Sequence, residues 1–269
     1  MDSQEGCQVS EKTPLDIAKE IADSAGNNFH SKVAKFFRDK EWKVLISPYY
    51  IDPSTDKPRE IDIIAEKLFI IMDRWNDTRP RGYVRARLHI ECKYIIQPTV
   101  FWFDDQDVLN ARAWVSNKTV LKHGDLGIDQ HHYLNDRQEV AKLFATQKTK
   151  EVENEPMFKA INQTLNGLLN NRGGYLCDKK HLRDQGTVDY PVIVCSSFDR
   201  FFRKRIGDDS SISEVTDNFL MEVNYAVRAA VPRNEYFLID VLEFNQLDEF
   251  LRGLDIEFSA MHTILRHQE

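Results

Sequence analysis

Apolar residues Phe29, Val33, Phe36 and Phe37 recur at helical spacing in a stretch that Thr13 and Pro14 open as N-cap and first helical position. The pattern predicts helix over about 13–42, divided near Gly26–Asn28 into a short and a longer piece, the aromatic stripe of the second lying against a sheet. Three apolar runs follow. WKVLISPYYI (42–51) reads as one strand, IDIIAEKLFIIM as a second interrupted near Glu66 and Lys67, and YVRARLHIECKYI as a third after the turn-prone DRWNDTRPRG. The short connections predict an antiparallel meander over 43–95, seeded by the helix before it.

Beyond Pro98 the pattern loosens. VFWF and DDQDVLNARAWV stay open between strand, loop and helix, and 120–137 reads as loop. RQEVAKLFAT (137–146) and PMFKAINQTLNGLLN (156–170) carry helical spacing, whereas DYPVIVCSS and YFLIDVLEF read as interior strands. Residues 201–217 look like a charged, serine-rich excursion, and the C-terminal QLDEFLRGLDIEFSAMHTILRH supplies more helix. One α/β domain over 1–269 is expected, with residues 1–12 loose and 97–155 an insertion within it.

Composition narrows the class. The chain is 42% hydrophobic and 29% charged, without an apolar run long enough for a membrane span, and its start lacks the basic-then-apolar pattern of a signal peptide, so a cytoplasmic protein is the expectation. Cysteines 7, 92, 177 and 195 have no paired metal-ligand spacing and read as reduced. A formal charge of −7 gives no global attraction to nucleic acid, but a local basic face remains open.

The chemistry lies in HIECKY (89–94). On a strand His89, Glu91 and Lys93 share one face, with Ile90, Cys92 and Tyr94 on the other. Asp62, in REIDIIA, begins the preceding strand; if the two strands pair across the 73–82 turn, facing residues sum to about 155, which sets Asp62 opposite residue 93. Two carboxylates and a lysine at one end of a hairpin suit phosphodiester hydrolysis. Asp62, Glu91 and the backbone carbonyl of Cys92 are hard oxygen ligands for Mg²⁺, with Mn²⁺ as the alternative, and Lys93 would orient water or balance developing charge. A water-facing edge strand would also alternate Glu and Lys, but it would not require an acid at the matching end of its neighbour.

The order of helix, strand, strand beginning with Asp, then strand ending in ECK resembles the core of the PD-(D/E)XK phosphodiesterases, the restriction-endonuclease-like superfamily, and most of all its Mrr-type and Holliday-junction-resolvase-like branch. The resemblance covers roughly residues 26–96 on short motifs, with looser agreement later. It implies a three-layer core with a central mixed β-sheet flanked by helices, and an insertion after the catalytic strand. It also implies a metal-dependent nuclease acting on DNA rather than RNA, in a host-defence or mobile-element setting. Asp62 and Glu91 would then be metal ligands and Lys93 the catalytic lysine. Many relatives carry glutamate in the first helix where FHSKV places His30, which leaves His30 open between metal ligand and half-buried helix residue. Relatives also aim a later helix glutamine at the site, a role for which Gln163 is the first candidate and Gln138 the competitor. The rival function is a nuclease fold, without catalysis, that binds nucleic acid or a partner protein; a homodimer fits either.

Phosphate contacts are expected from Arg203, Lys204 and Arg205 in FDRFFRKRIG, and from Arg85 and Arg87 on the face of Glu91. His131 and His132 have no known zinc spacing and read as structural.

Overall fold

The computed structural model describes residues 12–23, 26–52, 55–122, 127–134, 139–147, 156–170, 174–208, 212–227 and 233–267. Helix α1 (Pro14–Asp23) opens with a reciprocal cap: Thr13 Oγ1 accepts the Asp16 amide at 3.2 Å and the Asp16 carboxylate accepts the Thr13 amide at 3.1 Å. Helix α2 (Gly26–Asp39) buries Val33, Ala34 and Phe37. The run 42–51 is two strands, not one. β1 (Lys43–Ile46) ends at Ser47, whose φ of 53° turns the chain, and Pro48 follows, which has no amide to continue a ladder. β2 (Tyr49–Asp52) then pairs with β3 (Lys57–Glu60) in a separate two-stranded sheet.

β4 (Ile63–Met72) runs uninterrupted through Glu66 and Lys67 and pairs antiparallel with β5 (Pro80–Lys93). Ile63 faces Ile90, so Asp62, one residue earlier, lies toward Glu91 and not toward Lys93. The shift of two arises because β5 begins at Pro80, inside the segment expected to be turn, so that Met72 meets Pro80; the irregularity between Ile71 and Met72 then takes back one residue. β6 (Thr99–Asp105) and α3 (Val108–Lys118) resolve the ambiguous stretch. β7 (Glu139–Thr146) replaces the helix expected there: Val140, Leu143 and Phe144 mimic helical spacing, but pairing with β6 and contact with β11 (below) prevail over so short a pattern. α4 (Pro156–Asn170) and β8 (Arg183–Cys195) follow. The expected excursion is instead β9 (Phe201–Arg205) and β10 (Ser213–Glu214), anchored by a fully buried Phe201. β11 (Phe219–Val227), β12 (Arg233–Glu243) and α5 (Leu247–His267) complete the chain.

Among the described residues this is an α/β protein with five helices and a ten-stranded mixed sheet in the order β1-β4-β5-β8-β12-β11-β7-β6-β9-β10. Helices cover both faces. Side chains of α2, α3 and α5 pack on Leu88, Ile90, Val192 and Val194, while α4 packs on the alternate residues Ile193 and Cys195. The sheet curls. Residues 94–98 join β5 to β6 and 196–200 join β8 to β9, a reach of about 22 Å at most, whereas five flat strand spacings between those partners would need about 24 Å. Accordingly Phe101, Phe201, Ile193 and Val241, from four different strands, share one core with α4. Among the described residues no helix is long and apolar enough to cross a membrane.

α4 comes close to the link between β3 and β4 at Gly167, where an added Cβ would lie 2.7 Å from Cδ1 of the buried Ile61. Gly167→Ala is therefore expected to lose about 1–3 kcal/mol in urea unfolding through overpacking, although alanine is the better helix former. Unchanged or higher stability would show that Ile61 yields freely.

Candidate metal and catalytic site

The β4–β5 ladder stops at Ile63 and Ile90, which leaves the Cys92 amide beyond its end; Asp62 Oδ2 accepts that amide at 2.8 Å. The main chain around Asp62 is clamped: Ser47 donates to its carbonyl at 2.9 Å, and the preceding Ile61 amide donates to Pro48 at 3.1 Å. From α2, His30 Nε2 reaches the same Asp62 Oδ2 at 3.2 Å. On the opposite face of β5 Glu91, fully buried, receives the Asp62 amide on Oε1 at 3.3 Å and Lys93 Nζ on Oε2 at 2.9 Å. Gln163, from α4, accepts from Lys93 Nζ at 3.3 Å and donates to the Glu60 carbonyl at 3.4 Å. Five sequence-nominated residues, His30, Asp62, Glu91, Lys93 and Gln163, thus meet at one end of one hairpin. Gln138 lies outside the described residues.

Charge within this group is uneven. Burial pushes the Glu91 carboxyl up to about 8, with Asp62 adding to the push against the opposing pull of Lys93. Burial also acts on Asp62, but His30, Lys93 and the Cys92 amide outweigh it and hold that carboxyl below its usual range. His30 is raised, first by its hydrogen bond to Asp62. For Lys93 burial opposes the charge, yet Glu91 and Asp62 raise the ammonium above its ordinary value. Asp62 thus favours its charged form, Glu91 resists it, and Lys93 stays cationic.

The donor set could hold a cation. His30 Nε2, an Asp62 oxygen and Cys92 Sγ lie within 4.8 Å of one another, and Glu91 stands on the other side of Asp62. The Cys92 thiol itself is buried in the core on the α2 face, and burial raises it well above its ordinary range, so it is a neutral neighbour.

The expected phosphate contacts are redrawn. Arg85 and Arg87 are 1% and 7% exposed, too deep to flank a nucleic-acid backbone. Both bind the buried Glu66, at 3.1 Å from Arg85 Nε and 2.7 Å from Arg87 Nη2, and Tyr175 stacks on Arg85 at 3.4 Å. Glu66 was missed as a partner because it faces Arg87 only in the true register. Arg203 and Arg205, more exposed, pair with Glu139 and Asp105, and Lys204 lies between them on β9. His89 pairs with Asp189 at 2.9 Å, apart from the group around Asp62, Glu91 and Lys93, while its carbonyl accepts from Thr164 of α4 at 2.7 Å.

A second polar cluster is buried between α5 and β12. Glu257 accepts the His132 amide at 3.1 Å and His132 Nδ1 at 2.5 Å, and it also accepts the Tyr190 hydroxyl; Tyr133 donates to Asp240 at 3.0 Å. The Tyr133 amide points at His131 Nδ1 at 3.2 Å, which leaves that ring's proton on Nε2, facing Glu257 at 3.3 Å. The arrangement is a proton-bearing network rather than a set of free lone pairs.

Comparison with protein-family models, with curated proteins and with solved structures finds no match.

Proposed function

We propose that the protein is a metal-dependent nuclease of the restriction-endonuclease-like fold, hydrolysing phosphodiester bonds in DNA in preference to RNA. The observation that carries this reading is the meeting of Asp62, Glu91, Lys93 and Gln163 from three separate segments. Such convergence is what a positioned reaction needs and an exposed strand does not. Asp62, Glu91, the Cys92 carbonyl and His30 are the residues that would hold Mg²⁺ or Mn²⁺, which when bound supplies Lewis acidity toward a phosphate oxygen and acidifies water. Lys93, kept cationic by the two carboxylates, orients the attacking water or balances charge on the phosphate. Gln163 fixes the Lys93 ammonium and is itself held by the Glu60 carbonyl.

The test is incubation of purified protein with plasmid, single-stranded DNA and RNA, with Mg²⁺ or Mn²⁺, beside Lys93→Ala. Cleavage of at least one substrate is expected, with a loss of about 10²–10⁴-fold in the variant. Equal turnover of variant and parent sinks the assignment. The His30–Asp62 contact favours one other reading, a nuclease fold that binds nucleic acid or a partner without cutting: the imidazole there already occupies the carboxylate oxygen that a metal would use. Tight binding of nucleic acid without Mg²⁺ and without cleavage would support it.

A further inference from the structure

Between α5 and the strands β11 and β12 lies an open cavity of about 280 Å³, which the cleavage chemistry above does not use. Asp240 of β12 is opposite Val192 of β8, itself opposite Ile90 of β5, so the cavity shares the sheet face of Ile90, while Glu91 lies on the other. The lining is negative. Asp217, Asp240 and Glu249 contribute carboxylates, and the single basic group among the lining residues, His132, is already shared between Asp240 at 3.2 Å and Glu257 at 2.5 Å. Among the described residues Asp240, 3% exposed, receives two donors, His132 and the Tyr133 hydroxyl, on a carboxylate with about four acceptor sites. The buried Leu242 and Phe250 add apolar surface beside these acids, and the volume is far larger than a bare ion needs.

Gly253 supplies an independent sign. It lies within α5, where glycine weakens a helix, yet a Cβ at this position meets nothing within 4 Å. No neighbour's packing requires the residue to be small; what its smallness preserves is the cavity that it lines.

We propose that this cavity binds a small organic cation, a guanidinium on a short alkyl stem, with its head at Asp240 and its stem against Leu242 and Phe250. Charge complementarity selects a cation, and the apolar wall selects an organic one. Guanidinium suits the site better than ammonium because its planar fork bonds a carboxylate through two donors and its face stacks on a ring such as Phe250.

The experiment titrates the full-length protein with n-butylguanidinium by calorimetry, with the neutral isostere n-butylurea as control. The proteins compared are wild type, Gly253→Met, which fills the cavity from α5, and the doubly substituted Asp217→Asn with Glu249→Gln, each checked for native circular dichroism and melting. Wild type is expected to bind the cation with Kd of about 1 mM or tighter, and butylurea about tenfold more weakly. Affinity for the cation should fall by about tenfold or more in Gly253→Met and by about threefold in the double variant, whose lost charges are exposed. Absence of binding to wild type, equal binding of butylurea, or undiminished affinity in both variants overturns the proposal. A capped Ala-Arg-Ala peptide carries the same head group on a polypeptide; tighter binding of that peptide than of the free cation overturns the small-molecule assignment in favour of a partner protein's arginine.

Discussion

Glu91→Gln is expected to yield a protein that is inactive and more stable than its parent. The buried Glu91 carboxyl is pushed to about 8 in the folded state, against roughly 4.3 in an unfolded chain. Between those values the folded protein retains a proton that the unfolded one has released, so stability falls as pH rises from about 4.5 and reaches its lowest contribution above about 8. Glutamine has the same shape, can still accept from Lys93 through its one oxygen and carries no charge to bury, a gain that exceeds the loss of the long 3.3 Å bond from the Asp62 amide. At pH 9 the variant should gain about 0.5–2 kcal/mol, the usual size for removing strain at a functional group. At pH 5, where the parent carboxyl is protonated too, the difference should vanish. Urea unfolding at the two pH values reads this directly, and cleavage assays at pH 8 should show a loss of about 10²–10⁴-fold. Equal stability at pH 9 would mean that Glu91 is charged at little cost, and would remove the reason for treating its burial as functional.

The opposite sign is expected at Glu257. Removing it by Glu257→Ala takes the acceptor from the Tyr190 hydroxyl and the His132 amide, and takes from the His132 imidazolium one of its carboxylate partners, Asp240 remaining. Breaking a buried charged pair from one side costs about 3–5 kcal/mol. Burial opposes the charge on Glu257, but His131, His132 and the Tyr190 hydrogen bond bring its carboxyl to about 2, so its contribution is present above about pH 4.5 and lost as pH falls toward 2. Burial likewise opposes the His132 charge, but Asp240 and Glu257 raise it to about 10; that contribution is full below about 6.5 and lost as pH rises through 10. The parent should therefore show an alkaline decline in stability that Glu257→Ala flattens. Denaturation at pH 6 and pH 9.5 tests both effects, and a variant within 1 kcal/mol of the parent at pH 6 would contradict the network described.

How much of this was legible beforehand depends on the range over which each feature is determined. Helices α1 and α2, the β4–β5 hairpin and the shared face of Glu91 and Lys93 follow from local pattern and appear in the fold as expected. The register differs by two residues because β5 begins at Pro80, within a segment whose proline and glycine read as turn. Pro48, which has no amide to continue a ladder, lies inside a run whose apolar residues suggest one strand and separates β1 from β2. Arg85 and Arg87 were placed on the correct face and given the wrong environment: Tyr175 and the Cys177 segment that cover them lie some ninety residues away, and nothing near the arginines announces that cover. The same distance effect hid β7 and β11, whose strand character comes from neighbours across the sheet. Gln163 was reachable only through the resemblance, since its seventy-residue separation from Lys93 carries no periodic signal.

The parallel ladder between β5 and β8 sets Glu91 opposite Ile193, and every pair along it joins residues about a hundred positions apart. Loop closure on that scale must precede any reward from the contacts it permits, which places this protein among chains that fold slowly for topological reasons. During synthesis, Asp62, Glu91 and Lys93 emerge long before α4 and β8 exist to enclose them. A growing chain therefore displays the acidic and basic residues of its hairpin without the burial that tunes them, and any catalytic power is confined to completed molecules by the order in which the sheet can close.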